Sequence, residues 1–241
     1  MMHHNNNRTK PDYAQALYLL PFIVFSVLIT LRHSSSYSYL FEWLPVLGRT
    51  LPFFILSALL VFVYKFRGGS LKQLGFRWPN QKQSKPKMLG WILLAGLAIL
   101  VARILIAVTL DPILELLPSD LAKSIDRKSP LADNLNLFFI LLPLMWLVVI
   151  GEELMIRGLL MNYLAKRFGD TRGAWLLAIL VSSIIFGLFH MGKGTAAMLQ
   201  SGFGGLAYGV GYYVFKRNLW PVILAHALAN SLGFLSAFFA D

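Results

Sequence analysis

Two adjacent glutamates, Glu152 and Glu153, stand in an apolar run that reads Val-Val-Ile-Gly-Glu-Glu-Leu-Met-Ile-Arg-Gly-Leu-Leu, with Arg157 four residues beyond the second. Of the chain's 11 acidic residues, only these two lie well inside a long apolar segment. A carboxylate near the centre of a bilayer costs about 2.5–3.5 kcal/mol on insertion scales, so a pair kept there needs compensation and a purpose. Glu153 and Arg157 (i, i+4) share one face of a helix, whereas Glu152 turns away from both. The spacing therefore predicts that Arg157 neutralises Glu153 and leaves Glu152 free for another partner. A purely structural ion pair accounts for Glu153 and Arg157 equally well.

Two further constellations lie on apolar segments. In Phe186-Gly-Leu-Phe-His190 the phenyl ring sits one turn before the imidazole and can pack against it. In His226-Ala-Leu-Ala-Asn230 an imidazole and a carboxamide share a face, either to address one small volume or to bond across helices. Three of the five histidines (His3, His4 and His33) fall in polar termini or loops, and the remaining two are these. A Glu–His pair can activate water, and His and Asn side chains can stabilise an oxyanion. Together they make a hydrolytic set. The residues alone also leave open a non-catalytic immunity or scaffolding protein, or a transporter with a buried Glu–His proton relay.

The elements that must position these residues are membrane helices. The 241 residues are 57% hydrophobic and 14% charged, against roughly 25% charged in a soluble domain. Cysteine is absent, which excludes disulfides and thiolate chemistry. The net charge of +11 reflects basic residues clustered in loops, a topology signal rather than a nucleic-acid one. Apolar runs near 14–31, 45–64, 88–110, 135–164, 174–191, 195–215 and 219–239 predict an all-α, polytopic transmembrane bundle of about seven helices, six to eight at the limits. Residues 1–134 read as a variable N-terminal part and 135–241 as the core carrying the motifs. Pro143 is expected to kink the long fourth run.

The loop 65–87 carries Lys65, Arg67, Lys72, Arg77, Lys82, Lys85 and Lys87 without an acid and reads as cytoplasmic. The loop 111–134 holds Asp111, Glu115, Asp120, Asp126 and Asp133 against three bases and reads as outside. Lys166, Arg167, Arg172, Lys216 and Arg217 return inside, so the N-terminus is expected in the cytoplasm and the C-terminus outside. Trp43, Trp91, Trp175 and Trp220 fall near the borders, as an aromatic belt requires. No cleavable signal peptide is recognised. Ser201, Gly205 and Gly209 form a small-residue face suited to close helix packing.

Glu152-Glu153-x-x-x-Arg157, Phe186-x-x-x-His190 and His226-x-x-x-Asn230, in this order, resemble the three motifs of the CAAX protease and bacteriocin-processing (CPBP) family of intramembrane proteases, related to the type II CAAX prenyl endopeptidases. Arg-Gly-Leu-Leu at 157–160 and Asn-Leu-Trp-Pro-Val-Ile-Leu-Ala-His at 218–226 are also similar to that family, and the likeness covers roughly residues 135–235. The resemblance implies an endopeptidase embedded in the membrane and acting on a peptide or protein, and the compact C-terminal half and positive-inside loops suit a prokaryotic plasma membrane. Carried over by position, Glu152 and His190 would activate water, and His226 and Asn230 would stabilise the tetrahedral intermediate. Glu153, Arg157 and Phe186 would support the site. No cofactor is favoured. A zinc ion on Glu152, His190 and His226 is the alternative, although Glu-Glu-x-x-x-Arg is not a His-Glu-x-x-His motif.

One strain accompanies this reading. Counted at ~1.5 Å per residue, His226 falls about 10 Å in from the cytoplasmic side, Glu152 near mid-membrane and His190 nearer the outside. Arg103, inside the third apolar run, is a further charge in lipid and is expected to pair with a motif glutamate or to snorkel outward.

Overall fold

The computed structural model describes residues 47–66, 68–78, 84–116 and 133–239. The apolar run at 14–31, Trp43, the three N-terminal histidines, Arg67, Lys82, Asp120 and Asp126 lie outside the described residues. Among those described, every regular element is helical: α1 Leu47–Phe66, α2 Lys85–Glu115, α3 Leu135–Glu153, a π-helical stretch Leu154–Met161, α4 Asn162–Arg167, α5 Arg172–Leu188, a 3₁₀ turn Met191–Lys193, α6 Thr195–Val214 and α7 Leu219–Phe238.

The starts of these helices follow from side chains that accept the otherwise orphaned first N–H groups. Asn134 accepts from Leu137 N at 3.0 Å, Thr171 from Ala174 N at 3.2 Å, and Asn218 from Trp220 N at 3.1 Å. Three spans, Lys85–Glu115, Leu135–Arg167 and Leu219–Phe238, are long and apolar enough to cross a membrane. Their outward residues, such as Leu94, Leu105 and Val108, are more than half exposed, as lipid-facing side chains must be. The chain is an integral membrane protein with an all-helical fold, and the described residues supply three clear crossings toward the expected seven.

One local expectation is overturned and two are filled in. α2 runs on through Pro112 to Glu115, so Asp111 and Glu115 are helical rather than loop residues. Asp111 accepts a hydrogen bond from Gln200, tying the end of α2 to the start of α6. Pro143 sits inside α3, which is helical on both sides of it, and a change in helix type follows at the π-helical stretch. Finally, Ser201 lines a cavity, while the glycines on the expected small-residue face pack α6 against α5. There Gly187 meets Gly202, while Gly205 lies against Ser183 and Gly209 against Ile179. A Cβ on Gly187 would come within 2.8 Å of the Met198 carbonyl oxygen, so the two helices can approach this closely only without it.

The segment 68–78 is docked rather than free. Gly75 takes φ +105°, and its carbonyl accepts from Leu219 N at 2.8 Å; the Asn218 side chain donates to Arg77 O at 2.7 Å. Leu74 is thereby buried against Gly158, where a Cβ would lie 2.9 Å from the Leu74 carbonyl oxygen. The basic loop after α1 and the basic turn at Lys216–Arg217 thus share one end of the bundle, as the charge pattern requires.

The π stretch is held by one side chain. A wider turn offsets backbone carbonyls from their usual donors. The Asn162 carboxamide nitrogen donates to Arg157 O and Gly158 O, each at 2.9 Å, and to the Tyr212 hydroxyl at 2.7 Å. Asn162→Leu keeps the bulk and removes these donors, and is expected to lower stability by about 1–3 kcal/mol. Thermal unfolding in detergent measures this, and an unchanged midpoint would show that the π stretch holds without Asn162.

Candidate active site

The glutamate pair sits at the junction between α3 and the π stretch. Glu153 and Arg157 are fully buried, with Arg157 Nη1 donating to Glu153 Oε1 at 2.9 Å. The second guanidinium amine, Nη2, donates to Gly205 O on α6 at 3.0 Å. The guanidinium carbon lies 4.8 Å from the centre of the Phe186 ring and 5.4 Å from that of Tyr208. Such cation–π contacts and hydrogen bonds are what a guanidinium needs once it has lost water. The expected pairing of Glu153 with Arg157 is present, but it is incomplete as a description.

The same Glu153 Oε1 accepts from His226 Nδ1 on α7 at 2.7 Å. A carboxylate can only accept, so Nδ1 carries the proton and the imidazole turns Nε2 outward. That nitrogen lies 3.6 Å from Glu152 Oε2. His226 therefore stands between the two glutamates, bonded to one and facing the other. Tyr208 stacks on it with centroids 4.7 Å apart and planes at 23°, and Phe186 meets it edge-on at 5.7 Å.

His190 follows the end of α5. Its Nδ1 lies 2.9 Å from Phe186 O, one turn back. A carbonyl accepts, so here too Nδ1 holds the proton and Nε2 is presented. The Phe186 ring packs on this imidazole as well, with centroids 4.8 Å apart. One buried phenyl ring thus touches His190, His226 and Arg157, more than the single contact the spacing implied.

Glu152, His190, His226 and Asn230 all line one cavity of about 500 Å³. The depth mismatch anticipated from the sequence is resolved by two lengths. α5 has only 17 residues, about 25 Å at ~1.5 Å per residue, so His190 ends inside the bundle rather than at the far face. The helix from Leu135 to Arg167 has 33 residues, about 50 Å, and overshoots a hydrocarbon core of ~30 Å, so counting inward from its ends misplaces Glu152.

Four more polar residues line the cavity: Arg103, Lys193, Ser201 and Tyr208. Ser201 and Tyr208 are seven residues apart on one face of α6, a two-turn spacing that could have marked them. Lys193 lies in the turn after His190 and carries no such signal. Arg103 makes no ion pair with either motif glutamate, nor any hydrogen bond among the described residues. Among those residues, too, no group of three or more His, Asp or Glu side chains stands close enough to hold a metal ion.

Residues 134–232 match the family model described as type II CAAX prenyl endopeptidase Rce1-like. No curated protein and no solved structure matches the chain. The matched stretch contains Glu152, Glu153, Arg157, Phe186, His190, His226 and Asn230, and the match supports an intramembrane CAAX protease kind of function. Residues 134–232, which carry most of this cavity's polar wall, are a domain of the type II CAAX prenyl endopeptidase Rce1-like family.

Proposed function

We propose that the protein is an intramembrane endopeptidase in which Glu152 is the general base for an attacking water. The observation that carries this reading is the 3.6 Å approach of His226 Nε2 to Glu152 on the wall of a polar cavity. Glu152 takes a proton from water, and the oxygen adds to the carbonyl carbon of the scissile peptide bond. The carbonyl oxygen becomes an oxyanion, met by the Asn230 carboxamide and by His226. In that role His226 is doubly protonated, with Nδ1–H on Glu153 and Nε2–H toward the oxyanion. Collapse of the intermediate breaks the C–N bond, and the proton held by Glu152 passes to the leaving amine. His190 Nε2 assists in orienting the water. Glu153 and Arg157 touch none of the reacting atoms; they hold His226 in place.

Glu152→Gln is expected to lower kcat/KM by about 10²–10⁴-fold, and Asn230→Ala by about 10²–10³-fold, with unfolding midpoints close to the parent. Cleavage of a peptide in liposomes reads both. A Glu152→Gln protein of parental activity removes Glu152 from the reaction.

Glu153→Ala behaves differently. It strips the anion from both Arg157 and His226, and breaking a buried pair costs about 3–5 kcal/mol. Lower yield and an earlier unfolding transition are expected. A normally stable but inactive Glu153→Ala protein would exchange the roles of the two glutamates.

We further propose that the reaction needs no metal. A zinc ion on Glu152, His190 and His226 would supply Lewis-acid activation of water, but these three side chains do not stand close enough together to hold one. Activity is expected to survive exhaustive chelation, with zinc well below one per protein by elemental analysis. Loss on chelation with recovery on adding zinc would reassign these three residues as ligands.

A further inference from the structure

The two ends of the bundle differ in charge, and contacts fix which helix ends lie together. Arg217 lies over the Trp175 ring at 5.1 Å, Trp91 meets Phe215 edge-on at 5.8 Å, and Leu219 N donates to Gly75 O at 2.8 Å. The start of α2, the turn from α4 to α5, the turn from α6 to α7 and the 68–78 segment therefore share one end. Every one of these segments brings bases there, such as Lys72, Lys85, Arg167, Arg172 and Arg217, and among the described residues Asp170 is the single acid. The opposite end is fixed as firmly. Asp133 N donates to Phe238 O at 3.3 Å, joining the start of α3 to the end of α7, and Gln200 donates to Asp111, joining the start of α6 to the end of α2. Asp111, Glu115 and Asp133 lie there, and among the described residues Arg49 and Lys193 are its bases.

The cavity belongs to the second end. From Glu152 and His226 its wall runs away from the basic end: to Leu141, three turns before Glu152 on α3, to Phe234, two turns beyond His226 on α7, and to Ser201 near the start of α6. Lys193, past the end of α5, is exposed on its rim. Toward the basic end the bundle is closed. Leu74, Met161, Tyr212, Leu219 and Val222 stand on that side of His226, each 2% exposed or less. An excess of lysine and arginine marks the cytoplasmic face of a membrane protein. We propose that the cavity opens on the extracytoplasmic side of the membrane, and that its substrates are exported polypeptides, cleaved in segments that face outward or lie in the outer half of the bilayer. A chain in the cytoplasm meets the packed, basic end and has no path to Glu152.

The choice of substrate rests on the peptidase reading above; the direction of the opening does not, and the two are tested separately. The chain has no cysteine, so single thiols can be placed in it and read by labelling. Full-length Lys193→Cys, Ser201→Cys and Lys216→Cys proteins are exposed to a small membrane-impermeant thiol reagent in sealed, right-side-out bacterial spheroplasts and again after permeabilisation, with labelling in denaturant as the reference for each. Lys193→Cys and Ser201→Cys are expected to react in the sealed spheroplasts, and Lys216→Cys only after permeabilisation. The reverse pattern overturns the proposal, as does a Ser201→Cys thiol that stays protected in sealed spheroplasts. New N-termini are then compared by mass spectrometry between cells expressing the intact chain and cells expressing Glu152→Gln. They are expected in exported or outward-facing segments, and their enrichment in cytoplasmic segments overturns the choice of substrate. Identical N-termini in the two, with Ser201→Cys labelled from outside, would sink the peptidase reading and leave the direction of the opening standing.

Discussion

One carboxylate oxygen organises the bundle. Glu153 Oε1 receives Arg157 at 2.9 Å and His226 at 2.7 Å, with all solvent excluded from the glutamate. Taking such an ion out of water costs several kcal/mol, which only close charge and donors can offset. Those donors arrive from separate elements. Arg157 comes from the π stretch and passes its other amine to Gly205 on α6; His226 comes from α7. Phe186 on α5 and Tyr208 on α6 supply ring faces to the guanidinium. Four parts of the chain, the π stretch, α5, α6 and α7, are therefore held to a common point.

The same constraint fixes what the imidazoles can do. A free histidine offers either nitrogen to a reaction. Here Nδ1 of His226 is committed to Glu153 and Nδ1 of His190 to the Phe186 carbonyl, so both rings are oriented with Nε2 available. A partner on the opposite ring nitrogen is a general means of fixing a tautomer. Stacking by Tyr208 and the edge of Phe186 then restrict rotation of His226. The π stretch takes part through Asn162, whose carboxamide bridges the displaced carbonyls and Tyr212 on α6.

What could be read from the sequence divides along a physical line. Local relations were legible: Glu153 with Arg157 and Phe186 with His190 follow from the helical repeat, and the charge alternation correctly puts the 68–78 segment beside Asn218. Relations between helices were not. The bond from His226 to Glu153 rather than directly to Glu152 depends on how α7 is rotated and how the wider π turn aims the glutamates, and neither leaves a periodic trace. Depth failed for the same reason. Residue counting assumes helices that start and stop at the membrane surface, whereas α5 is short and the Leu135–Arg167 helix is long. Ser201 looked like one more small packing residue because size alone does not reveal whether a neighbour is a helix or a cavity.

The treatment of polar groups off the cavity gives the cavity its meaning. In lipid, a hydroxyl or indole N–H without a partner is costly, so helices satisfy it close to home. Thr109 donates back to Leu105 O, Ser182 and Ser183 to Ile179 O, and Ser231 to Ala227 O while accepting from Trp146. Among the described residues a few buried atoms, such as Ser57 Oγ and Trp220 Nε1, escape this rule. Along the cavity wall the pattern reverses. Arg103, Ser201 and Asn230 make no side-chain hydrogen bond to the described protein, and Glu152 reaches His226 only at 3.6 Å. These same side chains could have folded back onto their own helices, as the serines and threonine elsewhere do. Directed instead into one shared volume, they form a surface whose donors and acceptors can be completed only by what enters it, and water together with an extended peptide backbone supplies both.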